Sequence, residues 1–391
     1  MYHIDTAVGR VIIPILDERH TLLTSIRQNE SVLPSRHEYR THGTSMMMDE
    51  NRLQDIVLRW AQTRVLVVGD FVLDRRLQID PARIERSEET GLPAHQVVAV
   101  TIAPGAAGRV AAALRALGSA VITLGVIGDD GDGYELRRSL RGSGIDERAM
   151  VVDADRYTAT SIHPVNQSAT ALSYDLERLD IRSRSPLAPS TMAALIERLR
   201  SLAMQVHAVI VVDRIPDDEC GVVTSRLRLE IADLAARHPD VWFLAHSRWR
   251  TGLFRNVIVV PNARECVRAV YASDSDHPPL ALVGQAAGQL HRRTGKPVIV
   301  TLGLRGMLVI RNDGMTHIPA LPVTGPINAV GANDSALAAV AVALCAGATL
   351  DEAAQAGNLA AAAAMRSGAT GGVAPDQIVA LWRAHTNIAD S

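Results

Sequence analysis

The chain has 391 residues, 47% hydrophobic, 21% charged and 3% aromatic, a composition too apolar and too weakly charged for a disordered chain. Forty basic against forty-two acidic side chains give a formal net charge of −2. No global basic excess exists to draw the protein to nucleic acid or to an anionic membrane. Cys220, Cys266 and Cys345 show neither metal-ligand spacing nor a disulfide framework, so a cytoplasmic location is expected. The longest apolar stretch, residues 336–348, is shorter than the ~20 residues a membrane helix needs. All basic residues except Lys296 are arginine.

Residues 1–46 show no sustained period and are expected to be a poorly ordered N-terminal extension. The folded part is expected over 47–391. Leu53, Ile56, Val57 and Trp60 have helical spacing and predict a helix over 49–62. Continuous apolar runs then predict strands over 65–69, 121–127, 208–212, 241–245, 257–260, 298–302 and 307–310. Between most of them lie helical patterns, among them 108–117, 134–141, 335–346 and 351–367. Such alternation implies a mainly parallel sheet covered on both faces. Two polar inserts near 77–100 and 157–181 break it, and both predict short strands over the main sheet. A lid of that kind can exclude water from a site.

The common nucleotide motifs are missing. Val68-Gly69-Asp70-Phe71 is no dinucleotide turn, and Gly295-Lys296 is followed by Pro297 rather than Ser or Thr. Other segments carry chemistry. Gly331-Ala332-Asn333-Asp334 opens a helix, where free N–H groups attract anions. A carboxylate there can take a proton from a hydroxyl attacking a phosphate, although an Asp can equally cap the helix. Asn262 and Glu265 share one helical turn after a strand, a pair suited to Mg²⁺ through water. Thr301, Gly303 and Gly306 form a turn between two strands. Residues 104–108 open a helix, and Asp74 lies just past the first strand.

In this order the segments resemble the PfkB (ribokinase-like) carbohydrate kinases, most of all the branch that includes heptose-phosphate kinase domains. Val67-Val68-Gly69-Asp70, Leu73-Asp74-Arg75, Pro104-Gly105-Ala106-Ala107-Gly108 and Gly128-Asp129-Asp130 carry the resemblance. So do Cys220-Gly221-Val222, Asn262-Ala263-Arg264-Glu265, Val300-Thr301-Leu302-Gly303 and Gly357-Asn358-Leu359. The resemblance implies an α/β three-layer sandwich of ribokinase type with a small β-lid, which makes a homodimer in many members. It implies ATP and Mg²⁺ as cofactors and a sugar or sugar phosphate as acceptor, with no nucleic-acid or membrane partner. Asp334 would be the catalytic base and Gly331, Ala332 and Asn333 the anion hole. Asn262, Glu265, Thr301, Gly303, Gly306 and Asn358 would line the nucleotide site, with Asn262 and Glu265 positioning Mg²⁺. Asp74, Gly105, Ala106, Arg109 and Asp213 would face the sugar.

Several positions depart from the family. Arg109 stands where the family has Asn, and a guanidinium suits carboxylate or phosphate. The loop usually written Asp-Thr-x-Gly-Ala-Gly-Asp begins here with Asn328 and has Asn333 before the base. In many members that first Asp helps hold a monovalent cation, so little K⁺ requirement is expected. Similar kinases carry Lys-Pro-Asn, Asp-Ser-Arg and a lid lysine where this chain has Val260-Pro261-Asn262, His246-Ser247-Arg248 and His163. Two readings follow: an active kinase with a re-tooled acceptor pocket, or a catalytically degenerate protein that binds sugar or nucleotide as a regulator.

Overall fold

Alternation along the buried strands builds two apolar faces on one sheet. The computed structural model describes residues 39–41, 48–166, 174–322, 328–368 and 371–389. The chain divides into two units, residues 1–39 and 40–391, and the second is treated below. The expected extension over 1–46 lies almost wholly outside the described residues. From Met48 the chain is tied to the body: its N–H donates to Gln355 Oε1 at 2.7 Å, and its carbonyl accepts from Trp382 Nε1 at 3.1 Å.

The central sheet has nine strands, the short Tyr39–Thr41 at one edge and eight more that are numbered here. In chain order they include β1 (Arg64–Gly69), and the lid strands β2 (Phe71–Ile79) and β3 (Val97–Ala106) follow it. Then come β4 (Ala120–Leu124), the lid strands β5 (Thr160–Asn166) and β6 (Leu179–Ile181), and β7 (Ala208–Asp213). The rest are β8 (Trp242–Ser247), β9 (Ile258–Val259), β10 (Val298–Thr301), β11 (Met307–Arg311) and β12 (Gly314–Ile318). The spatial order is β12-β11-β10-β9-β8-β7-β1-β4. From β10 to β4 every pairing is parallel, while β11 and β12 fold back antiparallel.

Val65 and Val67 of β1 face one core, and Leu66 and Val68 face the other. The first core packs α1 (Glu50–Arg59), α2 (Ala107–Ala116), α3 (Gly131–Gly142), α8 (Ala332–Cys345), α9 (Leu350–Ser367) and α10 (Pro375–Ala389). The second packs α4 (Pro189–Ala203), α5 (Ser225–Arg237), α6 (Ala263–Tyr271) and α7 (Leu280–Thr294). This is the three-layer sandwich expected from the sequence. The predicted strand over 121–127 is split: Gly125 ends β4, and Val126–Gly128 pairs with Val151–Asp153 instead.

The lid is a second sheet in which β2 pairs in parallel with β5 and antiparallel with β3. It begins earlier than the predicted 77–100, because β2 starts one residue after Asp70. Gly69 makes that exit possible. Its φ is 144°, and a Cβ there would overlap the Val212 carbonyl oxygen. Residues 104–106, expected to open a helix, end β3, and α2 starts at Ala107. Asp132 at the start of α3 anchors the lid, accepting from Arg75 Nη2 at 2.5 Å and Thr160 Oγ1 at 2.7 Å.

Candidate active site

Parallel strands place all their carboxyl ends on one edge, where open α/β sheets bind ligands. Beyond this edge the chain delivers Asp70 and Asp74 after β1, and Asp213 and Arg214 at the end of β7. It also delivers His246 at the end of β8, Asn262 after β9 and Thr301 at the end of β10. Thr301 N–H donates to Pro261 O at 2.9 Å, which joins β10 to the start of α6.

Asp334 sits in the first turn of α8 and is 6% exposed. Gly331 caps that helix with φ 85°, a left-handed backbone suited to glycine. The N–H groups of the first turn form the anion-attracting end of a largely apolar and buried helix. Asn333 is exposed and Ala332 buried.

Both carboxylate oxygens of Asp334 accept from guanidinium groups. Arg109 Nε donates to Oδ2 at 3.1 Å and Arg214 Nη2 donates to Oδ1 at 3.0 Å. Arg109 Nη1 also donates to Asp74 Oδ2, so one side chain ties the lid strand β2 to α8. Burial raises the Asp74 carboxyl above its ordinary range, against the pull of Arg109. Gly105 keeps the space for this: a Cβ there would lie 2.5 Å from both Asp74 oxygens. Ala106 turns the chain into α2 with φ 50°.

On the other side, Asn262 and Glu265 form a capping box on α6. Glu265 N–H donates to Asn262 Oδ1 at 2.8 Å, and Asn262 N–H donates to Glu265 Oε2 at 2.9 Å. Glu265 Oε2 also meets His246 Nε2 at 3.1 Å. Burial pushes the Glu265 carboxyl up, but the His246 ring, the Asn262 N–H and Arg214 outweigh it and hold it at about 2. His246 Nδ1 in turn lies 3.5 Å from Arg214 Nη2. A continuous polar chain therefore crosses the site: Asp74, Arg109, Asp334, Arg214, His246, Glu265.

Mg²⁺ fits this site only through water. The Asn262 oxygen and a Glu265 oxygen are already committed to the cap, and no group of three or more acidic, His or Cys side chains suits a metal among the described residues. Mg²⁺ keeps several waters beside phosphates, so an outer-shell pair is compatible with it.

Other expected residues behave differently. Gly303 (φ 62°) and Gly306 (φ 94°) shape the turn between β10 and β11. A Cβ at Gly306 would overlap the Ile318 carbonyl oxygen. The Asn358 amide donates to Ile318 O at 3.3 Å and Pro319 O at 3.1 Å, a tie from α9 to the end of β12. Asp213, expected to face the acceptor, is 1% exposed and turned away from it. It accepts from Ser247 Oγ at 2.6 Å and Arg250 Nη1 at 3.0 Å, and burial together with Asp70 raises its carboxyl. The sequence reading missed Arg214, the residue after it. Its one signal was a cation directly past a buried strand at the ligand edge.

The same architecture occurs in solved structures. Ribokinase of Arabidopsis thaliana, complexed with ribose and ATP, superimposes with a TM-score of 0.61 at 16% identity, covering 82% of this chain and 98% of that one. Phosphofructokinase-2 of Escherichia coli, in complex with potassium, gives 0.63 at 18% identity, covering 83% and 99%. At such identities the likeness shows the fold. Among curated proteins, bifunctional protein HldE of Azorhizobium caulinodans is 31% identical over 305 residues, 77% of this chain and 60% of its own. HldE of Paramagnetospirillum magneticum is 31% identical over 319 residues, 81% and 62% respectively. The chain thus spans about three-fifths of the length of these relatives. Residues 62–377 match the pfkB carbohydrate kinases as a family. With the three-layer fold, the lid and Asp334 at the head of α8, the chain belongs to the pfkB family of carbohydrate kinases.

Proposed function

We propose that the protein transfers the terminal phosphoryl group of ATP to a hydroxyl of a sugar phosphate or sugar. The observation that carries this is the position of Asp334. Its buried carboxylate stands between an acceptor side, Asp74 and Arg109, and a nucleotide side, Asn262, Glu265 and Thr301. Asp334 accepts the hydroxyl proton as the hydroxyl oxygen attacks phosphorus. The first-turn N–H groups of Ala332, Asn333 and Asp334 stabilise the charge that develops on the phosphoryl oxygens. Mg²⁺, when bound with the nucleotide, supplies further charge neutralisation, and Asn262 and Glu265 hold its waters.

The positive field favours an anionic acceptor. Burial lowers the Arg248 guanidinium below its ordinary value, and Arg214, Arg178 and Arg109 lower it further against Glu265. The exposed Arg248 has a planar, charged side chain suited to a phosphate. A screen of nucleotide consumption across sugars and sugar phosphates tests the reading. Turnover is expected on at least one phosphorylated sugar and weaker turnover on its unphosphorylated form.

A second reading has its own observation, namely that both Asp334 oxygens are held by arginines. A regulator that binds ligand without turnover would keep that arrangement. Nucleotide binding without consumption on any acceptor would favour it. The three cysteines are free, two of them buried, which suits a reducing cytoplasm. No helix among the described residues is long and apolar enough to cross a membrane. Exposed Val97, Val98 and Val100 on the edge strand β3 suit docking of a second copy. Sedimentation of the wild type and Val98→Asp tests that arrangement.

A further inference from the structure

We propose that Arg214 is a further catalytic residue, one that binds the phosphoryl group in transit. The proposal rests on the kinase reading above. Arg214 occupies the middle of the polar chain, between the Asp334 carboxylate at 3.0 Å and His246 Nδ1 at 3.5 Å. On one flank His246 leads to Glu265 of the nucleotide side. Acceptor-side groups, Arg109 and Asp74, lie beyond Asp334 on the other. A phosphoryl group passing from nucleotide to acceptor crosses this position.

The side chain is built in rather than draped over the surface. It is 13% exposed, and its Nε is buried with no hydrogen-bond partner. A buried donor without an acceptor is costly, so the guanidinium is incompletely satisfied in its contact with Asp334. The backbone beneath it is fixed. The buried Asp70 carboxylate accepts from the N–H groups of Arg214 at 2.7 Å, Ile215 at 3.0 Å and Val222 at 2.7 Å. That carboxylate pins the whole loop after β7 to the point where the lid leaves β1. A planar guanidinium with five donors can span two phosphoryl oxygens while its stem stays in place.

The chemistry requires the guanidinium to change partner. The hydroxyl oxygen forms the new bond to phosphorus. The bond from phosphorus to the leaving ADP oxygen breaks, and its electron pair stays on ADP. The hydroxyl proton goes to Asp334 Oδ1, the oxygen that Arg214 occupies. Transfer of Arg214 from Oδ1 to the phosphoryl oxygens frees the base and brings positive charge to the developing anion in a single movement. Arg109 stays on Oδ2 and keeps the carboxylate oriented.

The test uses the full chain and ADP with Mg²⁺, alone and with aluminium fluoride, which mimics the phosphoryl group in transit. The wild type is expected to bind the fluoride complex at least tenfold more tightly than ADP with Mg²⁺ alone. Arg214→Gln should abolish that difference while ADP affinity stays within threefold, and Arg214→Lys should keep part of it. Turnover of Arg214→Gly on the best acceptor should be partly restored by millimolar guanidinium, a response a merely structural role would not give. A difference that survives in Arg214→Gln, or one missing from the wild type, would overturn the proposal. Equal loss of ADP and fluoride-complex affinity would overturn it too. If the fluoride difference behaves as expected but no sugar or sugar phosphate is consumed, the acceptor reading fails and the assignment of Arg214 stands.

Discussion

Arg109 Nε donates to Asp334 Oδ2 at 3.1 Å, while the same guanidinium holds Asp74 on the lid strand. An amide side chain is shorter and uncharged, so it could not bridge these two carboxylates as the guanidinium does. Arg109 therefore couples the lid to the head of α8.

Replacing Arg109 with Asn should separate these roles. Acceptor KM is expected to rise at least tenfold on a phosphorylated sugar, with ADP affinity unchanged within threefold. Steady-state kinetics with calorimetry of ADP binding checks this. A rise in nucleotide Kd of the same size would place Arg109 on the wrong side of the site.

Gly306→Ala should destabilise the fold. The position has φ 94°, and its new Cβ would overlap the Ile318 carbonyl oxygen. Backbone must move, because no flexible side chain can yield. A fall in Tm of at least ~4 °C is expected, since about 2 kcal/mol or more is at stake in a protein of this size. An unchanged Tm would show that the turn between β10 and β11 relaxes freely.

Much of this was legible in the sequence. Strands such as 65–69 and 208–212 are continuous apolar runs, and burial on both sheet faces requires that pattern. The head of α8 and the turn at Gly303 were readable because each is local in sequence, whereas Asn262 and Glu265 were read as a Mg²⁺ pair and form a capping box. The failures are contacts between distant residues. Asp213 looked like an acceptor ligand because it ends a strand at the right edge, but its partner Arg250 lies on another strand's exit loop. Arg214 was hidden because arginine is the ordinary basic residue of this chain, so its identity alone carried no signal. Only the fold brings it to Asp334.

Glu265 predicts a specific acid dependence. Its carboxyl is held at about 2 against an ordinary 4.5, so the folded state binds fewer protons than the unfolded one between these values. The stabilisation is fully present above pH 4.5 and is lost as pH falls toward 2. It amounts to roughly 3 kcal/mol at neutral pH. Urea unfolding of the wild type and Glu265→Gln should show a gap at pH 7 that narrows below pH 4.5. A gap constant from pH 7 to pH 3 would mean that Glu265 is not ionised against His246.

Asn328 predicts weak dependence on monovalent cations. Its Oδ1 already accepts from Val330 N–H at 3.0 Å, and it has no formal charge to offer. Rates in K⁺, Na⁺ and a bulky organic cation at constant ionic strength should agree within about threefold. A tenfold activation specific to K⁺ would contradict this, and Asn328→Asp should increase any K⁺ preference.

The most direct test of the account is the turnover of wild type and Asp334→Asn, compared on the best acceptor from the sugar and sugar-phosphate screen. If Asp334 is the base, the variant should lose about 10²-fold or more in kcat while binding ADP within threefold of the wild type. Equal turnover in the two proteins would show that Asp334 does not carry the reaction.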